Sequence, residues 1–124
     1  MTRDTFDAAQ KKMLGMLGLA AKAGKLTYGS ELTLDGVLKC RVCLVLLSDS
    51  ASERTKRKLD ERCAELEVEI IRTDIDPTDI CRAVGRKRPI VSLGITDKNL
   101  AAAVKNIYET TAQQTPRTVT ESEG

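Results

Sequence analysis

Residues 42–66 read VCLVLLSDSASERTKRKLDERCAEL, and this stretch decides the fold. Over 42–47 the side chains are apolar without alternation, the pattern of a strand covered on both faces. A polar turn follows, after which Leu59, Cys63 and Leu66 recur at helical spacing. Ser50 and Glu53 stand at capping-box distance and predict the helix start. Five cations, Arg54, Lys56, Arg57, Lys58 and Arg62, cover the rest of that helix. A strand buried on both faces needs cover above and below, so this segment alone predicts a layered α/β protein.

The flanks extend the pattern. Upstream, Met13, Leu14, Leu17, Ala20 and Ala21 predict a helix over 7–23 closed by Gly24, then a short extended piece at 26–28. Gly29 and Ser30 open a second helix with Leu34, Val37 and Leu38 on its inner side. Downstream, 68–73 reads as a strand, 77–84 as a short helix and 90–95 as another strand. Thr96 or Asp97 caps a last helix that buries Leu100, Ala103, Val104 and Ile107. Strands separated by helices imply crossover connections. The predicted architecture is a single-domain three-layer α/β/α sandwich with a mixed, largely parallel sheet of about four strands. The domain is expected over 1–108, with a disordered Thr-, Gln- and Glu-rich tail at 109–124.

Composition narrows the function. The chain has no His, which excludes triads of the Ser-His and Cys-His kind. No G-x-G-x-x-G or G-x-x-x-x-G-K-[ST] loop follows any predicted strand, so nucleotide catalysis loses its usual phosphate cradles. The formal charge is +2, but the tail holds three acids against Arg117, which leaves +4 on residues 1–108. No apolar run approaches membrane-spanning length and no leader-like pattern opens the chain, so cytoplasm is the expected compartment. Of the four cysteines, Cys40 and Cys43 form a C-x-x-C pair. Cys63 and Cys81 stand too far apart to supply the second close pair of a structural zinc site, so neither metal nor cofactor is expected.

The positive charge is concentrated in DPTDICRAVGRKRP, residues 76–89. Asp76 suits an N-cap, Pro77 the first helical position and Gly85 a left-handed C-terminal residue. Arg86, Lys87 and Arg88 follow on a short loop suited to a polyanion. Phe6, Tyr28 and Tyr108 are the only aromatics, too few for base-stacking platforms, so an RNA ligand would be read through backbone and groove. The start of the second helix is suited to such reading. Gly29 permits close approach, Ser30 and the free amides after it can meet phosphate, and Glu31 can accept from a guanine amino group. Ser48 and Asp49, at the end of the central strand, are the remaining small-ligand candidates.

MLGLAAKAGKLTYG (16–29), the G-x-E helix start, LVLLSDSASERTKRKL (44–59) and RAVGRKRP (82–89) occur in an order that resembles the kink-turn RNA-binding ribosomal-protein superfamily. The resemblance is closest to its bacterial YlxQ-type members and covers about residues 10–108. It implies an α/β/α domain without catalysis or cofactor that grips sharply bent RNA between the start of helix two and the loop before the last strand. Gly29 matches the family's glycine at that helix start. Glu31 matches a position held by Asn in strong kink-turn binders and often by Glu in YlxQ-type proteins, and Arg88 matches a basic residue facing RNA. Two positions depart: Leu32 replaces a Glu, and Asp35 replaces a Lys.

The resulting expectation is a non-catalytic, cytoplasmic protein that binds structured, kink-turn-like RNA in association with the ribosome. Gly29, Ser30 and Glu31 would read the bent duplex, and Arg86, Lys87 and Arg88 would hold phosphate. Leu32 and Asp35 motivate an alternative, a protein-interaction module on the same fold with weakened RNA binding. A small-ligand enzyme built on Ser48 and Asp49 is the third reading.

Overall fold

The computed structural model describes residues 2–113. In chain order it forms α1 (Thr2–Lys22), β1 (Leu26–Tyr28), α2 (Ser30–Leu38), β2 (Leu44–Ser48), α3 (Glu53–Leu66), β3 (Glu69–Thr73), α4 (Pro77–Ala83), β4 (Ser92–Ile95) and α5 (Lys98–Gln113). The four strands make one sheet in the order β1-β4-β2-β3. Every residue of β2 is buried, as its unbroken apolar run requires. Its Leu44 and Leu46 join Met13, Leu17, Ile80, Ile95 and Val104 in a core beneath α1, α4 and α5. Val45 and Leu47 join Val37, Val42, Leu59 and Cys63 beneath α2 and α3. Three layers result, with β2 central to both cores.

The sheet is mixed, but it is not largely parallel. Among the described residues only β2 and β3 pair in parallel, while β4 lies antiparallel to both β1 and β2. The crossover argument holds for β1, β2 and β3, all of which run in one direction. It fails for β4 because α4 is only seven residues long, roughly 10 Å, and the loop after it turns back to the helix start, the Ile90 amide donating to the Pro77 carbonyl at 3.2 Å, so the chain is not carried along the sheet. β4 therefore starts at the end where β3 finishes and inserts between β1 and β2.

Local signals account for the helix boundaries. Asp76 caps α4, its Oδ1 accepting from the Thr78 amide at 2.8 Å. Asp97, rather than Thr96, caps α5 by accepting from the amides of Asn99 and Leu100. The α3 cap is Ser52, not Ser50: the buried Ser48 hydroxyl takes the Ser50 amide at 3.0 Å, so the turn uses up the intervening residues before the helix begins. α1 begins earlier than residue 7, and α5 runs past Tyr108 to Gln113, beyond the expected domain boundary. The remaining tail, 114–124, lies outside the described residues.

Candidate nucleic-acid interface

The topology gathers the expected site residues along one edge of the sheet. β1, β2 and β3 all end there and β4 begins there, so Gly29, Asp49, Asp74 and the 84–91 loop share that edge.

Gly29 has φ 90 and ψ 162, a conformation that strains any residue with a Cβ. Its amide donates to the Ser92 carbonyl at 3.0 Å, and its own carbonyl accepts from the Thr33 amide at 3.0 Å. Apart from Gly29 and its two chain neighbours, no atom of the described residues lies within 4 Å of where a Cβ would stand, so the outer side of the helix start is open. The Ser30 hydroxyl meets Ser92 Oγ at 2.8 Å, and Thr33 Oγ1 meets Thr27 Oγ1 at 2.9 Å. These bonds pin α2 to β1 and β4. They also commit Ser30 to the scaffold.

The cationic loop is held at three points. After α4, Gly85 turns the chain at φ 75, and the Arg86 amide donates to the Cys81 carbonyl at 2.9 Å. The Cys81 thiol donates back to the Arg86 carbonyl at 2.9 Å. The Arg86 guanidinium lies over the Tyr28 ring, 3.9 Å from its centroid, which ties the loop to β1. Arg86, Lys87 and Arg88 are exposed, and none has an ion pair among the described residues. Their charge is left for an external partner.

A groove of about 600 Å³ runs between Tyr28, Gly29 and Leu32 on one side and residues 85–91 on the other. A second, of about 640 Å³, shares Tyr28, Leu32 and Arg86 with it and reaches Asp35 and Arg41. Leu32, 59% exposed, stands between the two. Asp35 is paired with Lys39 at 3.1 Å. Ser30 and Glu31 line neither groove. They open onto the opposite side of α2, into a cleft of about 300 Å³ shared with Leu34, Arg54, Thr55 and Lys58 of α2 and α3.

Of the six residues expected from sequence, the structure thus brings Gly29, Arg86, Lys87 and Arg88 into one groove and turns Ser30 and Glu31 away from it. Sequence reasoning missed Tyr28 as the support of Arg86, and Arg54 and Lys58 as neighbours of Glu31. The signals existed: Tyr28 directly precedes the glycine, and Arg54 and Lys58 are one helical turn apart.

The small-ligand alternative finds a cavity of about 240 Å³ at Asp49, lined also by Met13, Arg72, Thr73 and Tyr108. Ser48 is 1% exposed, with its hydroxyl engaged by the Ser50 amide, and Arg72 is paired with Asp60 at 2.9 Å. Ser48 is therefore unavailable to a ligand. Cys63 and Cys81 lie in cores on opposite faces of the sheet, so they cannot join one metal site. No helix among the described residues is long and apolar enough to cross a membrane.

Residues 11–105 match the model of the ribosomal protein L7Ae/L30e/S12e/Gadd45 family. The chain is 30% identical over 100 residues to the RNA-binding protein YlxQ of Enterococcus faecium, covering 81% of this chain and 94% of that protein. It is 29% identical over 86 residues to the YlxQ protein of Bacillus subtilis strain 168, covering 69% and 84%. A Bacillus halodurans C protein of unknown function superposes with a TM-score of 0.74 at 30% identity, over 79% of this chain and 97% of that one. The Giardia lamblia 15.5kD RNA binding protein shares the fold at 17% identity, with a TM-score of 0.68 and coverage of 83% and 87%.

Proposed function

The chain belongs to the ribosomal protein L7Ae/L30e/S12e/Gadd45 family, and on that premise we propose that it is a non-catalytic RNA-binding protein for structured, kink-turn-like RNA. It acts in the cytoplasm in association with ribosomal RNA or the ribosome. The observation that carries this reading is the groove in which the open helix start at Gly29 faces three exposed cations that have no ion pair among the described residues. The names of the YlxQ relatives support RNA as the ligand. Arg86, Lys87 and Arg88 take phosphates, Gly29 lets the backbone approach the α2 amides, and Ser30 fixes the helix start through Ser92. Glu31 accepts from base-edge amino groups on the other side of α2.

Titration of a kink-turn RNA and a plain duplex between about 50 and 200 mM salt tests the reading. Four neutralised phosphates predict a log–log slope of roughly −3 to −4, with tighter binding to the bent RNA. Equal affinity for the two RNAs would rule out recognition of the bend. Co-sedimentation with ribosomal particles at low and high salt tests the association with the ribosome. A second reading, a protein-interaction module, is favoured by one feature: exposed Leu32, which lines both grooves together with Tyr28, gives them an apolar wall. It predicts a protein ligand displaced by Leu32→Glu and indifferent to RNA.

A further inference from the structure

The cations of α3 fall into two sets. Lys56 pairs with Glu53 at 3.5 Å and Arg62 with Glu65 at 3.0 Å. Arg54, Arg57 and Lys58 are exposed and have no ion pair among the described residues. Arg54 and Lys58 line the cleft between α2 and α3, and Glu31 lines the same cleft, also exposed and without an ion pair among the described residues. The groove that holds residues 86–88 opens on the other side of the α2 start. One helix start is therefore flanked by two cationic edges.

The carboxylate in the cleft discriminates among ligands. A free phosphate seated at Arg54 and Lys58 would be repelled by Glu31 beside it. A helical RNA stem has both complements, phosphates for the two cations and amino groups in its shallow groove for the carboxylate. A polymer confined to the 85–91 groove would leave Arg54 and Lys58 without a partner. One lying across α2 engages both edges. We infer that the α2–α3 cleft is a second RNA contact, in which Arg54 and Lys58 hold the backbone of a stem flanking the bend, so that the RNA crosses the start of α2. This rests on the RNA-binding reading above and adds the direction in which the stem leaves the site.

The test compares wild type, Arg54→Ala/Lys58→Ala, Arg88→Ala and the control Lys11→Ala/Lys12→Ala. The control removes the same charge from α1, on the opposite helical layer. Each is titrated against a kink-turn RNA with both stems long, and with each stem shortened in turn. The cleft variant should lose roughly ten-fold in affinity for the long RNA, and its salt slope should fall by about 1 to 2. Shortening one particular stem should abolish that difference, while the control stays within about two-fold of wild type. Equal losses from the cleft variant and the control, or no dependence on either stem, overturn the inference. If Arg88→Ala weakens binding and the cleft variant does not, the cleft is excluded and the parent reading stands. If wild type fails to bind the RNA, both fall.

Discussion

The Arg86 guanidinium stacks over the Tyr28 ring, 3.9 Å from its centroid. This contact joins the cationic loop to the strand that leads into α2, so the two sides of the 600 Å³ groove are coupled through it. An exposed cation–π contact contributes about 0.5–1 kcal/mol. Tyr28→Leu should therefore cost little stability but weaken RNA binding several-fold, because Arg86 loses its fixed position. Tyr28→Phe keeps the ring and should bind like wild type. A double-mutant cycle with Arg86→Ala measures the coupling, and strictly additive effects on affinity would mean that the stack does not organise the site.

The same loop is anchored from below by the Cys81 thiol, which donates to the Arg86 carbonyl at 2.9 Å. The bond is partly buried and Cys81 packs in the core, so Cys81→Ala should cost about 1–3 kcal/mol in a chemical denaturation experiment. It should also lower RNA affinity, through a loosened loop. Cys81→Ser retains a donor and should restore affinity even if the polar hydroxyl lowers stability. Should the Ala and Ser variants bind identically, the hydrogen bond has no part in positioning Arg86.

Asp35 stands where the family resemblance implies a lysine, and it is paired with Lys39 at the rim of the second groove. Both side chains are more than half exposed, so breaking the pair should change stability by no more than about 0.5 kcal/mol. Asp35→Lys should tighten RNA binding by roughly three- to ten-fold and steepen the salt slope by about 1. Unchanged affinity with unchanged slope would place Asp35 outside the RNA path.

These variants span features that differ in how far the chain announces them. The β2 strand, the Asp76 cap and the Gly85 turn depend on neighbouring residues alone, and local pattern identifies them. The direction of β4 depends on how far α4 can carry the chain, and the start of α3 depends on a hydrogen bond from buried Ser48. Residue types do not disclose either. The site divides in the same way. The triplet at 86–88 is visible as a charge run, but its support by Tyr28 is a contact across fifty-eight positions of chain, created only when β1 pairs with β4. Ser30 and Glu31 adjoin Gly29 in sequence yet face another cleft, because successive helical residues point about 100° apart.

The four thiols supply a last prediction, which reads the fold directly. Cys40 is exposed, Cys43 half-buried, and Cys63 and Cys81 buried. Burial, with a smaller contribution from the Asp60 charge, pushes the Cys63 thiol up from its ordinary 9.0 to about 11. A thiol-reactive disulfide reagent at neutral pH should modify Cys40 first and Cys43 more slowly, while Cys63 and Cys81 react only on unfolding. The raised value also sets an alkaline limit. Below pH 9 the thiol is protonated in both folded and unfolded chains and its contribution is fully present. As pH rises toward 11 the unfolded chain loses that proton more readily, and stability falls by about 2–3 kcal/mol. Denaturant titrations of wild type and Cys63→Ala at pH 8 and pH 10.5 isolate the effect, since the variant should decline less over the same interval. Parallel decline in the two proteins would assign the alkaline loss to other groups.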